Sequence, residues 1–97
     1  MIVGISVFEL HLPSVGSLKE KRRIVKPLVE RLHQRFRVSI MESDFHDLHQ
    51  RTEIAIAAVH QSENQMNRLM DSLRKVIEET GDAQLLFWEP QLLDARP

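Results

Sequence analysis

The 97-residue sequence contains no cysteine, which excludes disulfide bonds, thiolate metal sites and a cysteine nucleophile. It has only three glycines, too few for a glycine-rich loop that binds phosphate or a dinucleotide, and it has no nucleophile-elbow motif. We therefore expect no enzymatic activity and no cofactor. The lack of cysteine also fits a reducing, cytoplasmic compartment.

Long apolar runs are missing as well. None approaches the ~20 residues that a membrane-spanning helix needs, and the N-terminus lacks the basic stretch and cleavage site of a signal peptide. We expect a mature cytoplasmic protein that begins at Met1 and has no membrane partner. With 42% apolar and 28% charged residues, the chain has the composition of an ordinary globular domain.

Apolar periodicity predicts six elements in the order β-α-β-β-α-β. The predicted strands cover residues 2–12, 38–46, 51–60 and 83–89, and the helices begin at Leu18 and after Ser62. This order predicts an α+β ferredoxin-like sandwich, a four-stranded antiparallel sheet with two helices on one face. We assign residues 1–90 to a single domain and residues 91–97 to a frayed C-terminal tail.

Local signals predict the helix ends. Ser17 and Glu20 are spaced as a capping box, and so are Ser62 and Gln65. Pro27 lies inside the first helical pattern and is expected to kink the helix or split it in two. Gly81 predicts a left-handed end to the second helix.

The open face of the predicted sheet has apolar residues that no helix covers. The first strand places Val3, Ile5 and Val7 on one face and Phe8 on the other. Part of the open face should therefore meet a partner, and association into a homodimer is the simplest solution.

Charge is unevenly distributed along the chain. Residues 19–37 contain eight basic residues and two acids, whereas residues 38–97 contain five basic residues and eleven acids. At 100° per residue, Lys19, Arg22, Arg23 and Lys26 share one face of the first helix. This basic face is a candidate nucleic-acid-binding surface that would neutralise phosphates, although such a face is usually just solvated.

Lys21 falls beside the apolar stripe of the same helix, away from the basic face. It either extends its ammonium group out to solvent or pairs with an acid of the neighbouring strand, such as Glu42 or Asp44.

Asp44, His46, Asp47 and His49 lie close together in the predicted hairpin, and their side chains are good ligands for zinc or manganese. An H-x-x-H pair without a third ligand at a known offset is more typical of a polar turn. We therefore predict no metal site.

Two known classes of protein share the predicted topology. Acylphosphatases have a glycine-rich anion loop and a catalytic arginine after the first strand, where this chain reads P-S-V-G-S-L. RNA-recognition motifs stack bases on aromatic residues of the central strands, whereas residues 52–59 contain none. Any nucleic-acid binding would therefore use the basic helix and read phosphates.

The segments H-L-P and S-L-K-E-K-R-R, then F-R-V-S, then D-x-x-D-L-x-Q-R, resemble the YlxP-like family of bacterial proteins over nearly the whole chain. The resemblance implies a ferredoxin-like domain of unknown function. It marks family-motif positions without assigning them a role, namely Lys21, Asp44, Asp47, Gln50 and Arg51. Members are often encoded beside translation-initiation and ribosome-maturation genes, which suggests ribosomal RNA or the ribosome as a partner.

Three functions remain open at this point. The first is an RNA-binding or ribosome-associated module that uses the basic helix. The second is a homodimeric interaction scaffold that uses the open sheet face. The third is a small-molecule-sensing domain, for which the sequence shows no ligand-specific residue.

Overall fold

A computed structural model, which describes residues 1–96, confirms the ferredoxin-like α+β fold. The elements are β1 (Ile2–His11), α1 (Leu18–Phe36), β2 (Ser39–Asp44), β3 (Arg51–His60), α2 (Glu63–Glu78), β4 (Gln84–Leu86) and β5 (Gln91–Asp94). The sheet is antiparallel with strand order β2-β3-β1-β4, and β5 also pairs with β1. β1 and β3 are therefore the central strands, as the topology predicts.

The alternation of β1 separates a buried face from an open one. Phe8 and Leu10 are buried between the sheet and the helices, while Ile5 and Val7 are exposed on the other side. β3 is in register with this pattern, since buried Ile54 pairs with Phe8. Burial of the inward side chains removes apolar surface from water at about 25 cal/mol per Å², which holds both helices on one face.

Both helices begin where the capping motifs predict. Ser62 and Gln65 form the complete capping box of α2. At α1, Ser17 Oγ accepts a hydrogen bond from Glu20 N at 3.2 Å, but the Glu20 carboxylate accepts from Gly16 N rather than from Ser17 N. The second half of that box is therefore shifted by one residue.

Pro27 does not split α1, which continues through it from Leu18 to Phe36. Proline removes the hydrogen bond to the Arg23 carbonyl. Both Pro27 and Arg23 are exposed, so water can satisfy that carbonyl, and the buried side of the helix keeps its packing.

The C-terminal end of α2 differs from the prediction. Gly81 does not adopt a positive φ, so the left-handed end predicted there is wrong. The helix ends instead at Glu78, where Thr80 N donates to Ile77 O at 3.1 Å and Thr80 Oγ1 donates to Val76 O at 3.4 Å. These bonds provide donors for carbonyls of the last helical turn, which a left-handed glycine would otherwise help to provide.

The last strand is interrupted and extends further than predicted. Glu9 pairs with Leu86 and Ile5 with Gln91, so three residues of β1 stand opposite four residues of the last strand. This is the arrangement of a bulge, and Phe87 takes the left-handed conformation there (φ 64°).

The sequence predicts a frayed tail from residue 91 onward, but residues 91–94 pair with β1 as β5, and Ala95 N donates to Met1 O at 3.0 Å. The prediction of fraying is therefore wrong for these residues. Pro97, the last residue of that tail, lies outside the described residues.

Neither helix within residues 1–96 is both long and apolar enough to cross a membrane.

The packing of β1 against α2 depends on Gly4. A Cβ atom added there would lie 2.7 Å from Met70 Cε and closer still to Met66 Sδ. We expect Gly4→Ala to lower the free energy of unfolding by about 1–3 kcal/mol because of overpacking. The matched control is Gly81→Ala, whose added Cβ meets nothing within 4 Å. In urea unfolding, the Gly81→Ala control should be as stable as the unaltered protein or more stable. An equal loss of stability in both variants would contradict this packing.

Candidate nucleic-acid interface

The basic face of α1 is exposed and lines one shallow groove. Lys19, Arg22, Arg23 and Lys26 follow the i, i+3, i+4, i+7 spacing that makes side chains neighbours on a helix. The groove has a volume of about 510 Å³ and is lined by these four residues with Pro27 and Glu30. In the part of the chain that the structure describes, none of the four basic side chains forms an ion pair.

The basic face is unfavourable for the stability of its own helix. The amino end of an α-helix is electrically positive, and a nearby cation costs typically 0.3–1 kcal/mol. Lys19 lies in the first turn of α1 beside the one acid of that turn, Glu20. Arg22, Arg23 and Lys26 lie beyond the first turn, and their spacing of three or four residues makes them like-charged neighbours that repel. Such conflicts with local stability are expected at functional sites.

Lys21 lies on the other side of this helix, where only 3% of its side chain is exposed. Its ammonium nitrogen donates to Phe45 O at 2.9 Å and to Arg51 O at 3.3 Å, and it lies 3.1 Å from Glu42 Oε2. These acceptors use all three hydrogens of the ammonium group. The interpretation that Lys21 reaches solvent is wrong, and the alternative pairing with Glu42 is confirmed.

Thr52 completes this buried cluster and is not among the site residues predicted from the sequence. Its side chain is fully buried, and its hydroxyl donates to Glu42 Oε2. Partial burial by itself would raise the pKa of Glu42, but the hydrogen bonds from Thr52 and Lys21 and the charges of Lys21 and His46 outweigh it, so the pKa is lowered. A threonine at an inward position of β3, beside Ile54, was the available signal.

The hairpin loop presents its backbone to this cluster. Phe45 has φ 63°, an uncommon conformation for a residue other than glycine, and Asp44 Oδ1 accepts from Phe45 N at 2.7 Å. Arg51 donates to both carboxylate oxygens of Glu9, at 3.0 and 2.8 Å, and its guanidinium carbon lies 3.9 Å from the centre of the Phe45 ring. Asp44 and Arg51 therefore hold the conformation that aims the Phe45 carbonyl at Lys21.

Gln50 joins the same loop to the turn between β1 and α1. Its side-chain Nε2 donates to Pro13 O at 3.2 Å and to Val15 O at 3.1 Å. The backbone carbonyl of Gln50 accepts from Leu12 N at 2.9 Å. Asp47 is exposed in the loop and takes no part in these bonds. The structure thus brings four of the five family-motif positions to one end of the sheet and leaves Asp47 outside.

The two hairpin histidines lie in different surroundings. His46 Nε2 lies 3.1 Å from Glu42 O, and His49 is exposed. Within residues 1–96, no group of three or more histidine, aspartate or glutamate side chains is arranged to hold a metal ion.

Comparison with known proteins identifies relatives but no activity. A family model described as "Protein of unknown function (DUF503)" matches residues 3–89. The chain is also 37% identical over 73 residues to "Uncharacterized protein YlxP" of Bacillus subtilis (strain 168), a match that covers 71% of this chain and 79% of that protein.

Removal of the buried ammonium group should be costly. Lys21→Met leaves two backbone carbonyls without this donor and leaves Glu42 with only the hydrogen bond from Thr52. Loss of one partner of a fully buried ion pair typically costs about 3–5 kcal/mol, and because 24% of the Glu42 side chain is exposed, we expect a smaller loss of about 2–3 kcal/mol. The exposed Lys19→Met is the matched control, with an expected change below about 0.5 kcal/mol. Thermal and urea unfolding measure both, and a Lys21 variant as stable as the control would contradict the anchoring role.

The lowered pKa of Glu42 predicts a particular dependence on acid. Because the carboxylate is stabilised in the folded state, its contribution is complete above its ordinary pKa of 4.5 and is lost as pH falls through the lower folded value. We expect Glu42→Gln to be less stable than the unaltered protein at neutral pH, with a smaller difference in strong acid. Urea unfolding across this pH range measures it, and a difference independent of pH would contradict the assignment.

Proposed function

Since the chain belongs to the DUF503 family, whose function is unknown, we propose its function from its own surface: it is a non-enzymatic module that binds the phosphate backbone of RNA through the basic face of α1. Structured ribosomal RNA, free or within the ribosome, is the proposed partner class.

The observation that supports this proposal most is the groove lined by Lys19, Arg22, Arg23 and Lys26, none of which has an acidic partner within residues 1–96. Solvated cations of this kind can release counterions when they contact phosphates, which drives binding to polyanions. Because like charges three or four residues apart on a helix repel one another, the clustering of these four charges has no stabilising role within the helix.

The rest of the surface favours contact with phosphates over stacking on bases. The central strands β1 and β3 place no phenylalanine, tyrosine or tryptophan on the open face of the sheet, so the platform of an RNA-recognition motif is missing. The same face presents Glu9, Glu53 and Asp44, which repel a polyanion. RNA is therefore expected to contact the helix layer.

The Lys21 cluster supports the proposal by restraining the helix. Lys21 lies between Lys19 and Arg22, and its bonds tie this part of α1 to β2, β3 and the hairpin loop. The backbone under the basic face is thus held in place before RNA arrives, which lowers the entropy cost of binding.

The test is the anisotropy of a labelled ribosomal RNA fragment, titrated at a series of salt concentrations. In the test variant, Lys19, Arg22, Arg23 and Lys26 are all changed to alanine, and we expect it to bind more weakly. The slope of log K against log salt concentration should also be smaller in magnitude by about 3–4, because each phosphate contact contributes about 0.7–0.9 to it.

A charge-matched control removes four exposed basic residues elsewhere, namely Arg31, Arg35, Arg68 and Lys75. It has the same net charge as the first variant, and its binding and slope should stay close to those of the unaltered protein. Glu30→Gln, which removes the acid that lines the groove, should strengthen binding. An equal loss in both fourfold variants, or no binding by the unaltered protein, would overturn the proposal.

A further inference from the structure

The open face of the sheet is divided into an apolar half and an acidic half. The apolar half lies toward the amino end of β1, and its large side chains are well exposed: Ile5 43%, Val7 47%, Met41 59%, Val59 59% and Leu93 61%. They occupy neighbouring positions of β1, β2, β3 and β5, since Val7 pairs with Ala55, Ala55 with Met41, and Val3 with both Val59 and Leu93. A contiguous apolar patch of this kind marks an interaction site.

The middle of the apolar half is recessed. Ala55 and Ala57 lie between the bulkier side chains of β1 and β2, and they form the floor of a groove of about 220 Å³ lined by Ile5 and Met41. Large apolar side chains of a partner can fill this space, and the flexible Met41 can adapt to them.

The charges of the face restrict which partner fits. Its other half presents Glu9, Glu53 and Asp44, and Arg51 is already paired with Glu9. Among the described strands, the register places no other lysine or arginine on this face, whereas nucleic acid or an anionic membrane would require free cations. An apolar protein surface of similar shape is the remaining match.

We propose that this face binds a second copy of the chain, and that the two sheets pack face to face around a two-fold axis through the apolar half, running across the strands near Ile5 and Ala57. This orientation places apolar surface on apolar surface and sends the two acidic halves to opposite ends of the dimer. An axis along the strands would instead bring the acidic halves together, which like-charge repulsion disfavours. The dimer goes beyond RNA binding and does not rest on it.

The size of the face indicates a weak, reversible dimer. Two copies related by this axis overlap over residues 2–8 of β1, and at about 3.3 Å per residue and 4.8 Å per strand the four strands give roughly 23 × 19 Å. That flat area is about 440 Å² per copy without the relief of the side chains, which is below the roughly 800 Å² per partner of standard interfaces and in the range of weak, transient ones. Dimerisation should therefore depend on concentration in the accessible range.

Sedimentation equilibrium over a wide range of protein concentration tests the proposal. The mass of the unaltered protein should rise from 11.3 kDa toward twice that value. Ala57→Lys, which puts a charge into the groove, should keep the mass at that of the monomer, whereas Leu48→Lys, the same kind of change at an exposed apolar residue of the hairpin loop, should dimerise normally. Circular dichroism checks that both variants are folded.

A distance measurement tests the orientation even if the lysine variant fails to fold. Residues 1–96 contain no cysteine, so His11→Cys, in the acidic half, takes a single spin label. The proposed axis separates the two labels by about 40 Å along the strands. Three outcomes would each overturn the proposal. The first is a monomeric mass at every concentration, and the second is a dimer that survives Ala57→Lys. The third is a label separation near 10–15 Å, which is what an axis along the strands would give.

Discussion

The buried ammonium group of Lys21 holds together the parts of the molecule on which its proposed RNA-binding role depends. It joins α1 to Glu42 of β2, to the backbone of the hairpin loop at Phe45 and to β3 at Arg51. Removal of these charges from water is costly, and an apolar replacement of both partners is often equally stable. The role of the cluster is therefore to position the helix. Its three bonds hold the first turns of α1 in place, and with them the direction in which the basic face points.

Around this anchor the fold separates two surfaces of opposite character. The helix layer presents the basic groove, while the sheet presents an apolar half and an acidic half on its other side. Because they lie on opposite sides of a thin two-layer domain, the proposed RNA surface and the proposed dimer surface do not compete. A face-to-face dimer would point its two basic helices outward, so that each could meet a phosphate backbone.

The elements that could be predicted from sequence are those whose signal is local. The period of two in β1, the helical stripe of α1 and the cap at Ser62 each depend on neighbours within a few residues, and all three are confirmed. The predictions that were wrong involve backbone groups whose hydrogen-bond partners no sequence pattern specifies. Gly81 has no left-handed role because Thr80 satisfies the helix carbonyls, and Gln91–Asp94 do not fray because β1 offers them hydrogen-bond partners.

For the candidate site, the sequence alone determined which residues share the basic face, because helical periodicity places Lys19, Arg22, Arg23 and Lys26 together whatever the rest of the chain does. It also determined the order of the strands, through the β-α-β-β-α-β pattern. Only the tertiary structure decided that Lys21 is buried rather than solvated and that the hairpin loop closes over it. The choice depended on acceptors more than twenty residues away at Phe45 and Arg51, and no local pattern specifies where such distant groups meet.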